Sequence, residues 1–282
     1  MVAGRRTKDT IFRSVCFISA LLGVALLFIL LWSMFSRGIP RLSWDFLTKP
    51  ASYMPDNAGI KVALLGSIWV IVLTAAFAVP IGVAAAIYLE EFNTRKTRFT
   101  DFVQLNISNL AGVPSIVYGL LGLAVFVRTF GFGRSILSAS LTMALLILPM
   151  IIIVSQEALR AVPKAFREAS LALGATQWQT IWKQVLPNAA SGILTGIILS
   201  LSRAIGETAP LIVVGAVTYA RMAPRSIKDK YTVLPIQIFN WTSEAKEGFR
   251  IDAAAAIVVL MGSLLVFNSI AIFIRSRTQI KR

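Results

Sequence analysis

With 282 residues, 56% of them hydrophobic and only 15% charged, the chain is too apolar for a soluble domain of its size and reads as an integral membrane protein. It has no histidine and a single cysteine, Cys16, set inside an apolar run, which excludes a histidine triad or proton shuttle, a zinc site and an intrachain disulfide. The formal net charge of +15 would suggest nucleic acid in a soluble protein; here the basic residues fall between apolar spans, where membrane lipids or an anionic solute are the expected partners and nucleic acid is not.

The first apolar run, about 15–35, is long enough to cross roughly 30 Å of hydrocarbon and follows Arg5, Arg6, Lys8 and Arg13, so it is expected to stay as an anchor. Gly38 to Lys61 carries Pro40, Pro50, Pro55 and Gly59 with Trp44 and Tyr53, a loop composition with aromatics suited to an interface. A second span, about 62–89, contains Pro80 and Gly82 and is expected to bend there. After the polar stretch EEFNTRKTRFTD comes a third span, about 107–127, containing GVPSIVYGLLG. Within it Ser115 and Gly119 stand four apart on one helical face, the spacing that lets helices approach closely in lipid, so this face is expected to pack on protein. A turn at Gly131 and Gly133 leads to a fourth span, about 136–154.

The region 156–191 is a polar island that reads as two short helices. Pro163 suits the first turn of a helix, KAFREASLAL follows, and Gly174 suits a left-handed C-cap. Thr176 with Gln179 has the spacing of a capping box, and Trp178, Ile181, Trp182 and Val185 recur as one amphipathic face, expected to end at Pro187. On the first helix, Ala165, Ala169 and Ala172 surround Phe166, small side chains that permit another surface to come close. The plain alternative is an amphipathic hairpin lying on the membrane surface.

A fifth span, about 192–217, and a sixth, about 253–274, complete six helices in a single domain, 1–282. Both tails are short and basic, and an even number of spans puts them on one side; that side, with the island, is expected to be cytoplasmic. The fifth span contains LSRAIGETAPL. Arg203 stands about 18 Å along it at 1.5 Å per residue, near the bilayer centre, where a charge costs about 3 kcal/mol on insertion scales and usually marks a pathway. Glu207 lies one turn on, flanked by Gly206 and Pro210, which loosen the local hydrogen-bond ladder. Two readings stay open: a buried structural pair, or an arginine whose forked donors meet a passing oxyanion. In the second, Glu207 orients Arg203 or accepts a hydrogen bond from a protonated oxyanion, which favours phosphate over sulfate.

EASLALG with Leu186 and Pro187 resembles the cytoplasmic signature loop of ABC importer permeases, EAA, three residues, G, nine residues, I, one residue, LP. Glu168, Ala169, Gly174, Leu186 and Pro187 match in register; Ser170 replaces the second alanine and Gln184 the isoleucine. GVPSIVYGLLGL and SRAIGETAPL are similar to the phosphate-specific branch, and ETAP is similar to its PstA-type subunit. The resemblance implies an all-α, six-helix permease of the type I (MetI-like) fold in a bacterial or archaeal plasma membrane. Its implied partners are a second homologous PstC-type permease, two PstB-type ATP-binding subunits and an extracytoplasmic PstS-type phosphate-binding protein. It further implies substrate translocation at Arg203 and Glu207, with Ser202 and Thr208 as pathway support. ATPase-subunit coupling falls to Phe166, Glu168, Ala169, Ser170 and Gly174. The chain carries no G-x-x-x-x-G-K-[ST] string, so ATP and Mg are expected on the partners and no cofactor or metal here. Rival classes are a permease for another oxyanion, sulfate-like or molybdate-like, and a membrane-embedded enzyme, for which the spans supply no nucleophile with a base.

Overall fold

The computed structural model describes the backbone of residues 2–93, 97–216, 220 and 222–278. Residues 279–282 of the basic tail lie outside the described residues, as do 94–96 of the polar stretch and 217 at the end of the expected fifth span. The described chain is all-helical: α1 (Val2–Gly38), α2 (Trp44–Thr48), α3 (Lys61–Ile87), α4 (Arg98–Ala111), α5 (Ser115–Gly122), α6 (Ile136–Arg160), α7 (Lys164–Ala172), α8 (Gln177–Thr180), α9 (Leu186–Ile205), α10 (Ala209–Val214), α11 (Leu234–Ser243) and α12 (Glu247–Thr278). Five continuous helical segments are long and apolar enough to cross a membrane: Ile11–Arg41, Lys61–Phe92, Ile136–Arg160, Gln177–Ile205 and Glu247–Ser276. A sixth crossing is counted if the bent pair Arg98–Ala111 and Ser115–Thr129 is one span.

α6 is the central element, and α3 lies along it. The buried residues Val62, Gly66, Val70, Thr74, Ala78, Gly82 and Ala86 recur every fourth position of α3, a ridge of mostly small side chains that brings two backbones together. A Cβ added at Gly82 would stand 2.6 Å from Ile151 Cγ2. Thr74 Oγ1 donates to the Ser140 carbonyl and Ser140 Oγ to the Val70 carbonyl, both at 3.3 Å. α3 continues through Pro80 without a break.

Both helices start at a small cap of loops and end near α7. In the cap the amides of Ile136 and Leu137 donate to the carbonyls of Asp229 and Ile227, while Phe46, Ile60, Leu234, Trp241 and Phe249 form an apolar cluster. Arg41 donates to Asp252 Oδ1 at 2.7 Å and to the Pro55 carbonyl at 2.7 Å, closing this cluster over the first residues of α12. α1 and α12 run antiparallel, meeting where Gly38 touches the Ala254 carbonyl, so the start of α1 and the end of α12 point away from the cap.

Two expected spans are interrupted. The third does not rise from Ile107: 107–111 belongs to α4, and the chain turns by 103° before α5. Gly112 closes α4, Pro114 caps α5 with φ −55° and ψ 136°, and α4 ends before it because proline keeps the preceding residue, Val113, out of the helical region. The rising part, 115–129, is about 22 Å long, short of the hydrocarbon thickness. The fifth span is likewise not one helix over 192–217; it breaks at Gly206–Thr208 and again at Gly215, whose φ is +105°. Conversely, Pro187 does not end its helix. The wide turn Ile181–Val185, in which the Leu186 amide donates to the Ile181 carbonyl, carries α8 into α9 and leaves Pro187 in the first turn of α9. Gln177–Ile205 is therefore one helical segment.

Candidate functional site

Arg203 belongs to the last turn of α9. α9 runs antiparallel to α6, and its glycines fix the register: a Cβ at Gly192 would meet Ala158 Cβ at 2.8 Å, and one at Gly196 would meet Val154 Cγ1 at 2.2 Å. Carrying that register on, Arg203 stands level with about residue 147, close to the middle of α6. The helix thus stops at mid-span, where backbone groups freed from a helix are tolerated only against protein or a polar cavity.

Arg203 Nε lies 3.7 Å from Glu207 Oε1, an ion pair without a hydrogen bond; the arginine side chain is 57% exposed on the single chain and the glutamate 19%. The expected i, i+4 pairing is present, yet it is loose and open rather than sealed in a core. Ser202, on the neighbouring face, donates to Asn268 Oδ1 at 2.5 Å and so ties α9 to α12. Thr208 Oγ1 makes a long contact of 3.5 Å with the Gly206 carbonyl inside the break. Beyond it, α10 leans on α5: a Cβ at Gly119 would sit 2.8 Å from Pro210 Cα and 3.0 Å from Val213 Cβ. Ser115 is half-buried, whereas Gly119 is buried, so the two interrupted spans support one another through Gly119.

The second region is the island. Pro163 caps α7, and Gly174, at φ +82°, closes it with amide bonds from Gly174 to Leu171 and from Ala175 to Ser170. The Thr176–Gln179 capping box is formed in both directions. No residue of α7 is buried. Phe166, Ala169, Ser170, Leu173 and Gly174 line an open cavity of about 660 Å³ together with Gln184, and Leu173 is 89% exposed. Glu168 faces a second cavity of about 690 Å³, shared with Glu91, Arg160 and Arg167. Ile181 and Val185 are buried, but Trp178 and Trp182 are exposed, so the expected single apolar face is split between core and surface.

Residues outside the sequence reading hold this region in place. Arg167 donates to both carboxylate oxygens of Glu91, Nε to Oε2 at 3.1 Å and Nη2 to Oε1 at 2.5 Å. It also donates to the carbonyls of Val162 (2.8 Å) and Leu159 (2.9 Å). Gln177 donates to the Glu91 backbone carbonyl, and Arg160 pairs with Glu90. An acid at the end of an apolar span and an arginine just before the signature string were the available signals, but nothing local joins positions 76 apart.

Residues 78–279 match the family model described as binding-protein-dependent transport system inner membrane component. The chain is 35% identical over 283 residues to the phosphate transport system permease protein PstA of Mycobacterium leprae, covering 97% of this chain and 91% of that protein. It is 32% identical over 247 residues to the probable ABC transporter permease protein YqgI of Bacillus subtilis, covering 82% and 83%. Among solved structures, the MetNI methionine ABC transporter in an inward-facing conformation aligns with a TM-score of 0.65 at 16% identity, over 78% of this chain and 98% of that one. A bacterial ABC transporter involved in import of the acidic polysaccharide alginate aligns with a TM-score of 0.65 at 16% identity, over 96% and 99%.

Proposed function

The chain belongs to the family of binding-protein-dependent transport system inner membrane components, and from that premise we propose that it is one of two permeases of an ATP-driven importer of inorganic phosphate. The observation that carries the reading is the loose Arg203–Glu207 pair at a helix break level with the middle of α6. A guanidinium there is accessible, and its donors match two oxygens of a phosphate-like group. The name of the Mycobacterium leprae relative supports phosphate as the oxyanion. A PstC-type permease covers the open side of the site, and a PstS-type binding protein delivers phosphate to the cap. PstB-type subunits, which hold ATP and Mg, dock at Phe166, Ala169, Ser170 and Gly174. Glu168 contacts the ATPase subunit from the flank.

In this mechanism closure of the ATPase subunits moves α7, and with it the segment Gln177–Ile205, between two arrangements that expose Arg203 to alternate sides. Both chain ends and α7 are cytoplasmic, and the cap is extracytoplasmic. The test is uptake of labelled phosphate by proteoliposomes holding the complex with the binding protein outside and ATP on the side of the ATPase subunits. Arg203→Ala should lower uptake by about 100-fold, on the order of the 3 kcal/mol spent placing the charge, with the complex still assembled. Undiminished uptake takes Arg203 out of the pathway. Saturable uptake of sulfate or molybdate in place of phosphate selects the other oxyanion reading.

A further inference from the structure

Among the described residues α7 contributes no buried side chain, so apolar packing does not fix where it lies. Its position depends on polar ties. Ser170 accepts a hydrogen bond from Thr180 Oγ1 at 3.0 Å, which holds α7 to α8. Among the described residues, α7 is tied to the turn Tyr88–Phe92, which ends the α3 segment, by the bidentate Arg167–Glu91 pair. The pair is half-enclosed: 22% of the Arg167 side chain and 8% of that of Glu91 are exposed. Arg167 at the same time caps the end of α6 through the carbonyls of Leu159 and Val162, and Glu91 caps nothing else but holds Gln177 through its backbone.

Three elements therefore meet at one guanidinium: α7, the end of α6 and the end of α3. Desolvated pairs of this kind add little net stability against apolar residues of the same size; what they specify well is geometry. A planar fork held at both carboxylate oxygens resists rotation as well as separation.

We propose that Glu91 and Arg167 are positioning residues that make the end of α3 move with α7, so that the transport stroke reaches α3 and, through its small-residue ridge, α6. This rests on the permease reading above. Without the pair, Gln177, Arg160 and the packing on α6 still hold α3 in place, but its end is no longer locked to α7, and ATP hydrolysis proceeds with fewer phosphate ions carried.

The experiment is the ratio of ATP hydrolysed to phosphate taken up, measured on the complete reconstituted complex. Glu91→Ala and Arg167→Ala should each raise that ratio about tenfold, and the double variant should be no worse than either single one, because both remove the same link. Glu91→Gln, which keeps one acceptor and the side-chain shape, should fall between. Unchanged stoichiometry in an assembled Glu91→Ala complex overturns the proposal, as do fully additive effects in the double variant. If neither Glu91→Ala nor Glu91→Gln assembles with its partners, the pair belongs to folding and the proposal also fails. Native complex that moves no phosphate in the same vesicles removes the permease reading itself, a result distinct from native transport with a normal ratio in the variants.

Discussion

A guanidinium level with the middle of α6 and more than half exposed on the single chain faces a side that this chain leaves open. Glu207 is close enough to hold it and too far to satisfy it. If the carboxylate reads the proton of a phosphate ion, Glu207→Gln should let sulfate compete, with its inhibition constant for phosphate uptake falling about tenfold; equal competition before and after the change would confine Glu207 to orienting Arg203. At the cap, Asp229 Oδ2 accepts from the amides of Arg225 (2.8 Å) and Ser226 (2.9 Å), and these bonds hold its carboxyl below the ordinary aspartate value. A depressed pKa stabilises the turn fully above the unfolded value of about 3.9 and loses that contribution as pH falls through the folded one. Protection of the Arg225 and Ser226 amides, taken relative to the intrinsic exchange rate at each pH, should therefore be present at neutral pH, fall as pH drops through the folded pKa, and be absent at neutral pH in Asp229→Ala; protection insensitive to both would show the turn to be held otherwise.

Among the helices, close approach is set by glycines whose places differ in consequence. A Cβ at Gly66 of α3 would stand 2.0 Å from the Thr232 carbonyl oxygen, a backbone atom that cannot swing aside, whereas Gly23 of α1 has nothing within 4 Å. Gly66→Ala should cost about 1–3 kcal/mol, read as a lower melting temperature in detergent, and Gly23→Ala should leave it unchanged. Equal melting for both would remove α3 packing on the cap as a determinant. Local chemistry made much of this level legible: the Gly174 cap, the Thr176–Gln179 box and the loosened ladder at Gly206 each depend on neighbours in sequence. What was not legible depended on distant contacts or on the freedom of a turn. Val113–Pro114 signals an end to helix, yet not that the chain will swing by 103°. Pro187 signals a stop, but the wide turn before it absorbs the missing amide, and Asn188 donates to the Gln184 carbonyl at 2.7 Å. Arg167 could be read as a surface charge until the fold brought Glu91 to it.

For the molecule as a whole, the six-helix reading survives with its third and fifth members broken, and the breaks converge where α10 leans on α5 through Gly119. α1 and α12 form an outlying pair with no fully buried residue in their apolar windows, and the face of α5 that carries Ile116 and Leu120 is exposed. Lipid covers such surfaces, and in the proposed complex a second permease takes part of them. A unique cysteine placed after Thr278 in a Cys16→Ser background should react with an impermeant thiol reagent only from the side that also exposes a cysteine at Leu173. Labelling of the two from opposite sides would break the arrangement in which tails and α7 share one face.

The unbroken course from Gln177 to Ile205 makes a lever of roughly 43 Å at 1.5 Å per residue. Its foot is the exposed island and its tip carries Arg203. Swinging it by about 5° displaces the tip along an arc of nearly 4 Å by that same length, comparable with the diameter of a small oxyanion. Had Pro187 severed it, the foot could rock while the tip stayed still.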